Sequence, residues 1–335
     1  MSRQTKLKIV SFLALPIIII WSKYVIVLGQ TPRPVLVALN KADSNLAVID
    51  PAEMKVLGKV PVGDSPHEVV LSADGKTAYV ANYGAQTPGT SISVIDTATM
   101  KETRRVDVSP LLRPHGLREM NGKLYFTSEV NRIIARYDPA ANKIDWLMGT
   151  GQNGSHMIVA TADQKHFYTT NIGSDSITAF EFNAVPPAQS KIAHISVGKQ
   201  PEAIDISPDG KEVWVGLNID LGIDVVDTAA NKVVERIKLG QRPYRVVFAP
   251  DGKQVFATIP ETKEIVAIDT ATRKEIKRVK LDTVPIGLTF AKSGKFVFVT
   301  SVQPNGVLKI DAEKLEVVSK TEPGNGPDGV AVTGI

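Results

Sequence analysis

The sequence predicts an all-β protein: one seven-bladed β-propeller, four strands per blade, over residues 30–335, preceded by an export segment at residues 1–29. Three observations carry this. A short apolar run ending in a carboxylate recurs seven times, at Asp50, Asp96, Asp138, Glu181, Asp227, Asp269 and Asp311, with spacings of 42 to 46 residues. Self-similarity at that period marks a propeller or a solenoid, and each unit divides into four short apolar runs, the makeup of a propeller blade. After Gln30, no stretch of a dozen residues keeps an uninterrupted three- and four-residue apolar spacing, so helices are not expected in the body.

Each element of the repeat has its own turn chemistry. The first strand ends in Ala73-Asp-Gly-Lys76, Met120-Asn-Gly-Lys123, Pro208-Asp-Gly-Lys211, Pro250-Asp-Gly-Lys253 or Lys292-Ser-Gly-Lys295. Asp-Gly and Asn-Gly between β-rich runs are strong hairpin signals, because glycine supplies positive φ. A second strand follows, such as Ala78-Tyr-Val-Ala-Asn82, and a third carries the carboxylate. The Asp side chain can accept backbone N–H bonds at the next turn. The fourth strand leads to a Gly-x-x-Pro loop, as at Gly63–Pro66 and Gly198–Pro201. The opening run Val35–Asn40 reads as a second strand and the closing run Gly329–Val332 as a first one. The C-terminal strand is therefore expected to complete the N-terminal blade and close the ring, leaving no open sheet edge at the seam.

Composition and charge narrow the class. The chain is 43% hydrophobic and 22% charged, normal for a globular protein. The net charge of +4 comes from the leader: Arg3, Lys6, Lys8 and Lys23 are four of the 39 basic residues, and the remaining 35 balance 35 acidic ones. A neutral body disfavours nucleic acid as a partner. The leader has a basic start and an apolar run over Ile9–Ile20, the pattern of a secretory signal, with Val27 and Gly29 placed for cleavage before Gln30. An uncleaved anchor over Ile9–Gly29 is the alternative, the one membrane contact expected, and Lys23 opposes it. The periplasm, the medium or the cell surface follows as the expected location. Cysteine is absent, which excludes disulfides, thiolate ligands and a lipidated N-terminal cysteine.

Tyr79-Val80-Ala81-Asn82, Val94-Ile-Asp-Thr-Ala-Thr99 and Ser207-Pro-Asp-Gly-Lys211 resemble the YVTN family of propeller repeats, found in exported bacterial and archaeal surface-layer proteins. The resemblance covers essentially the whole chain after the leader and implies the fold. It does not imply one activity, since that family hosts many.

Chemistry is expected at one mouth of the channel. The residue after the Gly-x-x-Pro loop is, blade by blade, His67, His115, His156, Glu202, Tyr244, Ile286 and Asp328. Pseudo-sevenfold symmetry puts these on one ring. His67, His115, His156 and Glu202 could hold a divalent metal with an open position. The same arc could bind a ligand or exchange protons near neutral pH. Asn82, Tyr83, Asn171, Asn218, Arg113, Arg242 and Arg245 are placed around the mouth, where arginines would suit a carboxylate or phosphate. The plain alternative is a water-wetted channel with ordinary loop charges.

His166, His194, Trp146 and Trp214 read as structural. No G-x-S-x-G elbow, phosphate loop, H-E-x-x-H or CxxC is present. Three functions remain open. The first is a non-catalytic scaffold binding a protein or small molecule through the loop face. Arg113-Pro-His-Gly-Leu117 and Asn153-Gly-Ser-His156 partly resemble channel segments of lactonase, carboxymuconate-cyclase and streptogramin-lyase propellers, which implies an enzyme with His156 and Glu202 as an acid–base pair. Binding of nucleic acid is the third.

Overall fold

The computed structural model describes residues 34–181 and 191–335. Among them, 28 strands form seven antiparallel four-stranded sheets, and the one helical element is a 3₁₀ turn at Ile172–Ser174. The protein is a seven-bladed β-propeller. In blade 1 the inner strand is Pro327–Thr333, paired with Val35–Asn40 in the register Leu36↔Val332 and Ala38↔Val330; Asn45–Asp50 and Lys55–Pro61 complete the sheet. The C-terminal strand closes the ring as expected. The inner strands of blades 2 to 7 begin at Pro66, Pro114, Ser155, Pro201, Arg245 and Val284. The expected export segment at residues 1–29, like residues 182–190, lies outside the described residues.

The repeated carboxylate is a turn device. Asp50 Oδ1 accepts the N–H groups of Ala52 and Glu53 (2.9 and 3.0 Å), and Asp96, Asp227 and Asp269 each accept one at 2.7 Å. Four residues after the carboxylate the chain turns through the left-handed region, at Met54, Met100, Asn142, Asn231, Arg273 and Leu315. The side chain satisfies N–H groups that the turn leaves unpaired.

Second strands are the most deeply buried, Val35–Asn40 along its whole length. Their side chains fill the wedges between blades. Trp214 of blade 5 is fully buried against Phe248 of blade 6 (5.5 Å between ring centroids), and Trp146 of blade 3 stacks on Phe180 of blade 4 at 6.0 Å. Each such residue removed from water contributes about 1.5–3 kcal/mol. His194 also joins blades, its Nε2 donating to the Thr150 carbonyl at 2.8 Å.

One irregularity positions the mouth. In blades 2, 3, 4, 5 and 7 the ladder slips at the start of the inner strand, for example between Pro114 and Leu117. The ring residue lies in that bulge, which re-aims its side chain and frees backbone groups. Threonines of the second strands take up the freed groups. Thr127 Oγ1 accepts from Gly116 N (2.9 Å) and donates to the His156 carbonyl in the next blade (2.6 Å). Thr170 makes the same link to Glu202, Thr258 to Ile286 and Thr300 to Asp328. Glycine follows the ring residue where blades approach most closely: a Cβ at Gly116 would lie 2.5 Å from the His156 carbonyl, and one at Gly287 2.3 Å from that of Asp328.

Candidate functional site

The structure gathers most of the expected residues at one channel mouth. His67 stacks on Tyr83 (centroids 4.4 Å apart, planes at 29°), and His115 stacks on His156 (3.8 Å, 27°). The two stacks meet edge-on, His115 lying 5.3 Å from His67 and 5.2 Å from Tyr83. On the opposite side Arg245 lies over Tyr244 (4.7 Å), binds the Glu68 carboxylate and sits 3.9 Å from Asp328; Lys41 is also 3.9 Å from Asp328. Glu202 accepts a hydrogen bond from Asn218 Nδ2.

Three residues at the mouth were missed by the sequence reading: Lys41, Glu68 and Glu129. Lys41, Tyr83, Glu129 and Asn218 occupy one repeat position, immediately after the second strand, and form a second ring against the first. Glu129 Oε2 accepts from the Tyr83 hydroxyl at 2.7 Å and lies 3.7 Å from His156 Nδ1, an ion-pair distance too long for a hydrogen bond. Glu68 and Arg245 hold the position after the ring residue and are the only charged residues there among the seven blades. Aligning the repeats at those two positions would have found all three.

Glu68 belongs to blade 2 and Arg245 to blade 6, so their pair reaches across the axis. Both side chains are nearly buried, at 12% and 9% exposure. The pair itself, with Arg118, Asp205, Leu117, Ile158, Val246 and Leu288, lines a cavity of about 190 Å³ of mixed polar and apolar character.

Burial sets the protonation of the mouth. It pushes the His67 pKa down to about 3, with the charges of Lys41, His156 and Arg245 adding to it. Burial likewise holds His115 well below the ordinary imidazole value, so both rings are neutral at physiological pH. Burial raises the carboxyls of Asp328 and Glu68 although Arg245 opposes it in each case. Glu129 moves the other way: burial would raise it, but His156, the Tyr83 hydroxyl and Arg113 together hold it below the usual carboxylate range.

Four expectations need correction. The metal set His67, His115, His156 and Glu202 does not form: among the described residues, no three His, Asp or Glu side chains converge to hold an ion. Imidazoles stacked at 3.8 Å direct their lone pairs side by side, and Glu202 is engaged with Asn218. The carboxylate that stands beside His156 is that of Glu129, 3.7 Å from Nδ1, while Glu202 is engaged with Asn218. Asn82 faces no ligand; it is buried, its Oδ1 accepting from Gly63 N and its Nδ2 donating to Ser91 and Ser93. The arginines are already committed: Arg113 to the carbonyls of Gly84 and Ala85 (both 3.0 Å), Arg242 to Glu261 (2.7 Å) and Arg245 to Glu68.

What the mouth does offer is unpaired hydrogen-bonding capacity. His115 Nδ1, His156 Nδ1, Asn218 Oδ1 and Asp328 Oδ1 are buried and make no hydrogen bond within the chain. His115, His156 and Asp328 are only 3%, 8% and 4% exposed. Such atoms cost about 1–3 kcal/mol each unless something answers them, and all four belong to the two residue rings at this mouth.

The molecule is thus a closed seven-bladed propeller with a polar mouth at one end of its channel. The family model described as YNCE-like beta-propeller matches residues 135–250, and that match together with the ring fits the YVTN-type propellers whose repeats the sequence carries. No curated protein matches the chain. Among solved structures it is similar to hydrazine synthase of Kuenenia stuttgartiensis, with a TM-score of 0.67 and 22% identity over 79% of this chain and 88% of that one. It is also similar to a functionally unknown protein from Desulfotomaculum acetoxidans (TM-score 0.74, 12% identity, 89% and 98% covered). A third is the dihydro-heme d1 dehydrogenase NirN (TM-score 0.64, 14% identity, 90% and 75% covered). At these identities the likeness is one of fold.

Proposed function

We propose that this protein is an exported, non-catalytic binding propeller whose channel mouth captures a small polar ligand. The buried, unpaired polar atoms of His115, His156, Asn218 and Asp328 carry the reading. A purely structural ring would have no reason to keep them in place of apolar residues, whereas a site preorganised for a ligand holds them at a cost to stability. The basic and then apolar leader supports export to the periplasm or cell surface, which fractionation of cells producing the full chain checks. The test of the site is His115→Leu. It is expected to melt at or above the wild-type temperature without ligand and to lose ligand-induced stabilisation across a small-molecule panel. A clear fall in melting temperature would make His115 a structural residue and sink the reading.

A second reading rests on one contact. Glu129 bridges the Tyr83 hydroxyl and the His156 ring, an arrangement suited to proton transfer. Turnover of a lactone by the wild type, lost in His156→Ala and Glu129→Gln, would favour an enzyme over a binding protein.

A further inference from the structure

We infer that the mouth ligand is a neutral polyhydroxylated molecule, a sugar or cyclic polyol, held by in-plane hydrogen bonds. The inference rests on the binding reading above and adds the ligand's chemistry.

Three other ligand classes fit poorly. An anion would need free cationic donors, yet Arg113, Arg242 and Arg245 are spent on Gly84, Ala85, Glu261 and Glu68. Glu129, Glu202 and Asp328 would also repel it. An ammonium ion would be drawn to Asp328, but Arg245 and Lys41 already stand 3.9 Å from that carboxylate. An ammonium also has no lone pair to accept from an imidazole N–H. A flat base would need an open ring face. Tyr83 has its faces covered by His67 at 4.4 Å and by the Arg113 guanidinium at 4.5 Å, which cannot share one side. His115 and His156 each lose one face to the other, and His115 meets Tyr83 and His67 edge-on.

A hydroxyl fits what is left. Asn218 Oδ1 can only accept, and Asp328 Oδ1 accepts as a carboxylate or can donate as a carboxylic acid, so a hydroxyl answers either form. An imidazole nitrogen is a donor or an acceptor according to tautomer, and a hydroxyl answers either. Asn218 belongs to blade 5, Asp328 to blade 1, and His115 and His156 to blades 3 and 4. One hydroxyl cannot serve four blades around an axis, so the skeleton must carry several.

The test is calorimetric titration of the full chain with myo-inositol, D-glucose and xylitol, beside putrescine, citrate and adenosine monophosphate. At least one polyol should bind saturably, with an affinity that does not change with added salt, since no net charge is neutralised. Asn218→Leu should weaken it at least about tenfold, the loss of one hydrogen bond to a buried group. Asp328→Leu, which removes both carboxyl oxygens at similar volume, should do the same and serves if Asn218→Leu fails to fold. Failure of all three polyols overturns the ligand class. Binding of putrescine, citrate or the nucleotide, abolished by either variant, overturns the class and leaves the mouth as a binding site. No binding at all, together with a destabilised His115→Leu, removes both.

Discussion

Replacing Arg245 by methionine would strand the Glu68 carboxyl. The two side chains are only 9% and 12% exposed, and their pair spans blades 2 and 6. Breaking a buried ion pair by removing one partner costs about 3–5 kcal/mol, because the remaining charge stays desolvated. For a domain of this size that is a fall in melting temperature on the order of 10 °C. Asp328, 3.9 Å from Arg245, is a carboxyl and cannot answer Glu68 in place of the guanidinium. The double variant Arg245→Met, Glu68→Leu should recover part of the loss, since Glu68 no longer leaves an unpaired buried carboxyl, while Asp328 keeps Lys41 beside it. The pH dependence has a definite sign. Glu68 already has a raised pKa from burial, and without Arg245 it rises further. A carboxyl whose folded pKa exceeds its unfolded value takes up a proton on folding, so the deficit of Arg245→Met should shrink as the pH falls from about 8 to about 5. Thermal melts of wild type, both single variants and the double variant across that range make the measurement. A pH-independent deficit, or a double variant as unstable as Arg245→Met, would refute the argument.

Two further expectations concern the ring. The His67 pKa is depressed to about 3 by burial, so the unfolded chain binds a proton there that the folded chain refuses; stability should be lost as the pH falls below about 6.5, and His67→Gln should flatten that loss in pH-dependent denaturation curves. Gly287→Ala would place a Cβ 2.3 Å from the Asp328 carbonyl and 2.7 Å from Thr300 Oγ1, costing about 1–3 kcal/mol by overpacking, whereas Gly149→Ala, with nothing within 4 Å, should leave denaturant midpoints unchanged.

The repeat made the architecture legible, because the same Asp must serve the same turn in each blade where it recurs. The ring His67 to Asp328 was legible for the same reason. Pairing was not. His156 stands one blade from Glu202 in the ring, yet its carboxylate neighbour is Glu129, which a separate strand end brings in. Arg113 looked like a ligand clamp in the sequence. Its guanidinium instead ties down the loop carrying Tyr83, through carbonyls that no composition or spacing reveals. Repeat symmetry tells which positions share a height in the ring; which side chains bond depends on their lengths and on the neighbouring blade.

The closing strand Pro327–Thr333 supplies Asp328 to the mouth and hydrogen-bonds to Val35–Asn40, nearly three hundred residues away in the chain. The site is therefore the last part of the molecule to exist during folding, since contacts so distant in sequence close late. A ligand bridging Asp328 to Asn218 would fasten that strand to blade 5 and oppose its release. Occupancy of the mouth then acts as a clasp on the ring: amide protons of Val330 to Val332 should exchange more slowly with ligand bound, and unfolding that begins at the seam should slow with them.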